Sequence, residues 1–439
     1  MPLIGSNLAQ VGIGMTDTLM LGWYSVDALA AVTLAGSTFF TLYLVGSCFA
    51  WAVMPIVAQS AETGDETQLR RATRMGMWLS MLVAVFALPP MLFFEPIMVS
   101  MGQRPDVAAL GQDYLRIAGW GIIPGLMVMT LRSYLSALER TQVLLWVTIG
   151  TAVLNAALNY VFIFGNFGMP ELGARGAALA SFAVMLSSMI ALAIYAVLQF
   201  PTHKLFQRIW RPDWSAFAQV FKLGWPIGLT TLAETGLFAA SAFMMGWLGK
   251  AEVAAHGIAL QLASATFVVH LGLSQAATVR AGRALGRQDP VGLRRGAVVS
   301  MVMSFAFALV TVAAFLMFPE FLVGLFLGLD LPDRASILTI GVSLLIVAAF
   351  FQLADGAQVM ALGLLRGLQD TRAPMIFAAI SYWLIGMPMS YFLGFTLDMR
   401  GEGIWLGLVI GLMVAALLLS LRFFRRSSQM LRDASSQNT

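Results

Sequence analysis

Residues 335–366 read ASILTIGVSLLIVAAFFQLADGAQVMALGLLR, an apolar run broken deep inside by a single acid, Asp355. About 20 consecutive apolar residues cross the hydrocarbon of a bilayer, so this stretch reads as a transmembrane helix with a carboxylate at membrane depth. A charge there is costly unless it is protonated, paired or wetted, and such residues mark ion or substrate paths. Two other apolar stretches follow the same pattern: VGIGMTDTLMLGW holds Asp17 and GLTTLAETGLFAA holds Glu234. Ion-coupled transport is therefore the first functional expectation.

Composition agrees with a bilayer as the solvent. Hydrophobic residues make up 59% and charged residues 11% of the 439-residue chain, and the mean hydropathy is +0.82. No soluble core buries that much apolar surface. Apolar runs alternate with short polar breaks to give twelve expected spans: 2–22, 28–58, 74–100, 107–138, 142–165, 173–200, 215–247, 253–282, 296–320, 335–366, 373–396 and 402–422. Their length, and the lack of short alternating strands, makes them helices and excludes a β-barrel. The expected fold class is an all-α membrane protein of twelve transmembrane helices.

If both termini share one side, that side collects 20 of the 26 lysines and arginines. The positive-inside rule then makes both termini cytoplasmic. The net charge of +4 reflects this topology, and loop cations spread over a membrane surface give no support to nucleic-acid binding. Cys48 is the one cysteine, so no disulfide framework exists within the chain, and no metal site is expected. The lack of a GxxxxGK[ST] loop or a soluble nucleotide-binding domain leaves ion gradients as the energy source.

The chain also repeats itself. Residues 2–71 set against 226–295, at a constant offset of 224, share 16 identities, among them Pro2/Pro226, Trp23/Trp247, Asp65/Asp289 and Leu69-Arg70-Arg71/Leu293-Arg294-Arg295. A fixed register with matched polar loops argues for duplication. Six helices return the chain to its starting side, so the halves are expected as parallel six-helix lobes related by a pseudo-two-fold axis along the membrane normal. The expected division is a lobe over 1–200, a cytoplasmic linker over 201–214, a second lobe over 215–424 and a tail over 425–439. Substrate is expected between the lobes or within one. The stretch SAFAQVFKLGW precedes Pro226 whereas only Met1 precedes Pro2, so the first repeat is expected without that lead-in.

Several segments together carry a resemblance: the first helix with Asp17, PIVAQSAETGDETQLRRA, LNAALNYVFIFGNFGMPELGARGAALAS, EVAAHGIAL followed by SQAATVRAGRALGRQD, and QLADGAQVMALGLLRGLQDTRAP. The chain resembles the multidrug and toxic compound extrusion (MATE) family over almost its whole length, most of all the NorM-type bacterial branch. That resemblance implies a cation-coupled exporter of small toxic compounds in the bacterial cytoplasmic membrane, with protons or sodium as coupling ion and no cofactor. Phe267 and Phe351 stand near the second-half acids where some similar proteins carry tyrosine, and losing those hydroxyls tilts the expectation toward protons.

Each site has a competing structural reading. Asn155 and Asn159 lie one turn apart on one helix face, where they could hydrogen-bond the Asp17 carboxylate or merely hold helices together. Glu234 aligns with Gln10, and pairing Leu368 and Thr371 with Leu138 and Thr141 sets Asp355 opposite Gly125. The second half thus holds an acidic pair that duplication does not explain, able to share a proton or chelate a small cation. His256 and His270 read as neutral rings bonding within the helices. The glycines Gly403, Gly407 and Gly411 read as a close-packing seam, as do Gly121 and Gly125. The expected coupling residues are Asp17, Glu234 and Asp355, supported by Asn155, Asn159, Phe267 and Phe351. A flippase for lipid-linked precursors would call for deep cations to meet a pyrophosphate, whereas the deep charges here are acidic; a non-transporting scaffold would need no buried acids.

Overall fold

The computed structural model describes residues 2–328 and 333–436. Twelve helices carry the chain: α1 (Pro2–Tyr24), α2 (Val26–Thr63), α3 (Glu66–Leu92), α4 (Pro105–Ala137), α5 (Thr141–Phe164), α6 (Ala174–Gln199), α7 (Trp214–Leu248), α8 (Lys250–Gly286), α9 (Pro290–Met317), α10 (Arg334–Gly367), α11 (Arg372–Thr396) and α12 (Arg400–Ser436). No strand occurs among the described residues. Each expected span coincides with one helix or with a helix and a short continuation, since 74–100 takes in α3 and the separate turn Phe94–Ser100. Eleven of the twelve are long and apolar enough to cross a membrane. The exception is α1, where Ser6, Asn7, Gln10, Thr16, Asp17 and Thr18 dilute the apolar content. The expected tail also differs, because α12 continues unbroken to Ser436 rather than ending near residue 424.

The duplication seen in the sequence returns as matched helix caps. Asp65 and Asp289, 224 residues apart, each accept a hydrogen bond of 2.8 Å from the backbone three residues on, capping α3 and α9. The preceding turns match as well, with the Asp65 amide on the Ser60 carbonyl and the Asp289 amide on that of Ala284, both at 3.0 Å. Farther along, Glu139 (φ 62°) and Gln369 (φ 58°) occupy the same left-handed turn between α4 and α5 and between α10 and α11. Such turns satisfy the last carbonyls of a helix that has to stop.

Packing divides the chain into two compact units, Met1–Gly228 and Leu229–Thr439. The division falls inside α7, later than the 201–214 segment that the sequence suggests. Within the first unit that segment is fastened onto α3. Arg74 donates to the Lys204 and Leu205 carbonyls at 2.5 and 2.7 Å, Trp78 Nε1 donates to the Ile209 carbonyl at 2.7 Å, and Arg71 pairs with Asp213. The start of α7 is held there too, with Phe221 stacked on Phe49 at 5.7 Å.

In the second unit, α11 winds into π-helical turns at Ile380–Gly386 and Phe392–Thr396 and presses against the glycine seam of α12. Gly407 backs directly onto the Ser390 amide and hydroxyl, and a Cβ on Gly411 would lie 2.9 Å from Gly386 Cα. The seam does what small residues do between membrane helices, letting two backbones touch.

Candidate functional site

In the first unit α1 is held by polar bonds spaced along its length, which offsets its weak hydropathy. Near its start, Ser6 and Thr148 of α5 share a hydrogen bond of 3.0 Å, and Arg132 of α4 donates to Gln10, Ser6 and Asn7 at 2.7, 3.0 and 3.0 Å. Arg132 lies in the expected span 107–138, near its end, and the side-chain oxygens of α1 satisfy its guanidinium.

Farther along the same helix lies Asp17. Its Oδ1 accepts from Asn155 Nδ2 at 2.9 Å and from Asn159 Nδ2 at 2.6 Å, while Ser181 of α6 donates to Oδ2 at 3.4 Å. Asn159 also donates to Asn155 Oδ1 at 3.3 Å, and both asparagines are fully buried. The i, i+4 spacing on α5 aims two amides at one carboxyl, so the three residues expected together are together. Ser181 is an addition that sequence reasoning missed, because nothing local to α6 pairs it with α1.

The second unit brings Glu234 of α7 and Asp355 of α10 near one another and near Tyr382 of α11. Asp355 is buried, and near it on α10 and α11 stand buried oxygens without hydrogen-bond partners: Asp355 Oδ1, Gln352 Oε1 and Gln358 Oε1 at three-residue spacing on one helix, and the Tyr382 hydroxyl. Native interiors leave few such atoms, and a cluster of them calls for a bound proton, ion or water. Gln358 and Tyr382 were missed by sequence reasoning. Gln358 lies one turn beyond Asp355 and was legible from spacing, but Tyr382 comes from a different helix.

Phe351, one turn before Asp355, is buried in the apolar core of the second unit, edge-on to Trp405 at 5.5 Å and to Phe238, itself one turn beyond Glu234, at 6.0 Å. Phe267 is half-buried on α8. Of the two histidines, His256 Nδ1 accepts from Trp405 Nε1 at 3.0 Å, and His270 Nδ1 shares 2.8 Å with Ser304 Oγ while its ring packs on Gly356. Both bond to side chains of neighbouring helices. Among the described residues no group of three or more His, Cys, Asp or Glu is placed to hold a metal ion.

Fold and site together define a multi-pass α-helical membrane transporter with carboxyls buried among its helices. The family model named MatE matches residues 2–161 and 226–392, its two starts separated by the 224-residue offset of the internal repeat. The chain belongs to that family, one of transporters and not of enzymes. It is 49% identical, over 97% of its length and 91% of the relative's, to a probable multidrug resistance protein NorM of Rhizobium meliloti (strain 1021). A protein of the same name from Agrobacterium fabrum (strain C58 / ATCC 33970) is 46% identical over 96% of this chain and 91% of its own. Among solved structures, the outward-facing conformation of a multidrug resistance MATE family transporter superposes with a TM-score of 0.88 at 20% identity, covering 98% of this chain and 95% of that one. The eukaryotic MATE transporter AtDTX14 gives 0.86 at 19% identity, covering 98% and 96%. These likenesses establish the twelve-helix fold.

Proposed function

We propose that the chain is a multidrug exporter of the bacterial cytoplasmic membrane, moving amphipathic cationic compounds outward against an inward flow of protons, with both termini cytoplasmic. The observation that carries the proposal is Asp17, a carboxyl on a membrane helix that accepts three side-chain donors from α5 and α6. A proton arriving on that carboxyl turns one of its acceptor oxygens into a donor, which weakens the bonds from Asn155 and Asn159 or reverses the one from Ser181. Protonation therefore biases how α1 sits on α5 and α6, and an ion that binds two conformations unequally is what a coupled cycle requires. The names of the relatives, and the acidic rather than basic deep charges, favour drug cations over a pyrophosphate-linked lipid.

A second reading rests on the second unit. Asp355 Oδ1, Gln358 Oε1 and the Tyr382 hydroxyl are buried oxygens without partners, the donor set a hard cation such as sodium prefers. They restore some of the oxygen lost where Phe267 and Phe351 replace tyrosine. Flux of a fluorescent cationic drug in proteoliposomes, with a pH gradient and a sodium gradient imposed separately, distinguishes the readings. Proton coupling predicts transport that follows the pH gradient at constant sodium. Transport that follows sodium at constant pH and ignores the pH gradient overturns it, and no drug flux under either gradient overturns export altogether.

A further inference from the structure

The two halves treat one duplicated surface differently. In the first unit the face of α3 bearing Arg71, Arg74 and Met75 is the seat of the 201–214 segment. Arg71 holds the Asp213 carboxylate and donates to Ser215 Oγ at 2.6 Å, Arg74 holds two backbone carbonyls, and Met75 Sδ accepts from the Asp213 amide at 3.4 Å. At the repeat offset of 224 the same positions on α9 are Arg295, Val298 and Val299, with Arg294 standing for Arg70. Among the described residues, no segment is fastened onto that seat by hydrogen bonds as 201–214 is onto α3. Val291, Arg294, Arg295, Val298 and Val299 line a groove of about 590 Å³, closed on one side by Leu431 of α12. Among the described residues neither Arg294 nor Arg295 forms an ion pair, and all five groove residues of α9 are exposed.

We propose that this groove binds one anionic phospholipid, its phosphate taking the place at Arg295 and Arg294 that the Asp213 carboxylate takes at Arg71. The substitutions along the seat choose the occupant. Arg74 and Trp78, which in the first unit donate to peptide carbonyls, become Val298 and Val302, so the second seat keeps the guanidiniums but loses the donors that held a backbone. It offers a basic end where α9 begins and an apolar wall one turn further along the helix. A diacyl phosphate ester fits both, with the headgroup on the guanidiniums and an acyl chain along the valines. Free phosphate has no use for the wall, and a zwitterionic lipid adds a cationic group beside two arginines.

The test is native mass spectrometry of the purified full-length chain titrated with dioleoyl phosphatidylglycerol, with dioleoyl phosphatidylcholine and inorganic phosphate as separate competitors. The expected result is one phosphatidylglycerol retained against both competitors. The double variant R294A/R295A should weaken it roughly thirty-fold, at about fivefold for each juxtamembrane arginine. Val298→Trp, which fills the exposed wall and leaves both charges, should also release the lipid, and thermal unfolding in neutral detergent verifies that each variant is folded. Unchanged phosphatidylglycerol affinity in R294A/R295A, equal retention of phosphatidylcholine, or displacement by inorganic phosphate overturns the proposal.

Discussion

Asp17→Asn keeps the shape of the side chain and removes its proton chemistry. Drug flux driven by a pH gradient is expected to fall by at least about tenfold with unfolding temperature nearly unchanged, and full transport by the well-expressed variant would remove Asp17 from the coupling path. Asp17→Ala is expected to behave differently, because it takes the acceptor of the Asn155 amide and leaves Asn159 only its longer bond to Asn155; a buried donor without an acceptor costs about 1–3 kcal/mol, to be read as a lowered denaturation midpoint. Glu234→Gln and Asp355→Asn are expected each to remove most ion-driven flux, with the double variant little worse than either single one, because groups acting as a unit are not additive. Losses that add in activation free energy would make them separate sites. Tyr382→Phe removes only one of the unpartnered oxygens, so a larger loss of sodium-driven than of pH-driven flux would favour the cation reading.

Among elements, the contact between α11 and α12 depends on Gly407 having no side chain. Gly407→Leu is expected to destabilise by about 1–3 kcal/mol or to stop accumulation in the membrane, as overpacking does; an unchanged unfolding temperature would show the helices free to separate. The seat of the 201–214 segment responds to pH. The hydrogen bonds that Arg71 donates hold the Asp213 carboxyl below the usual carboxylate range. A group with a depressed folded pKa adds stability that is fully present above its unfolded value, about 3.9, and is lost as pH falls through the folded value. The wild type should therefore exceed Asp213→Ala by a constant amount from neutral pH down to about pH 5, and the two should converge only in stronger acid. Both partners are partly exposed, so the difference is expected to be about 1 kcal/mol or less. A gap that closes between pH 7 and 5 would assign it to another group, such as His203, whose burial pushes it below its ordinary range.

For the whole molecule the decisive property is topology. If both termini share one side, the basic residues are heavily concentrated there even with Arg132, which binds α1 from within α4, set aside. A cysteine placed at Gln207 should resist an impermeant thiol reagent in intact cells and react once the cells are opened. Labelling in intact cells would invert the molecule and, with it, the direction assigned to transport.

Twelve helices, the duplication and the three acids inside apolar spans were legible in the sequence because each is a local property. Length and hydropathy decide a membrane span, a fixed offset decides a repeat, and an acid inside an apolar run announces itself. The pairing of Asp17 with Asn155 and Asn159 was half legible, since i, i+4 spacing on α5 defines a face but does not say which helix meets it. What only the tertiary structure decided depends on contacts between helices far apart in the chain. Ser181 joins the Asp17 carboxyl, Tyr382 of α11 comes near the second acidic pair, Arg132 binds α1, and Phe351 packs on Trp405 and Phe238. The same holds for the groove on α9. Its positions match those of α3 in register and differ in kind at Val298, Val299 and Val302, but what packs over a seat is decided by segments that side-chain spacing along one helix does not record.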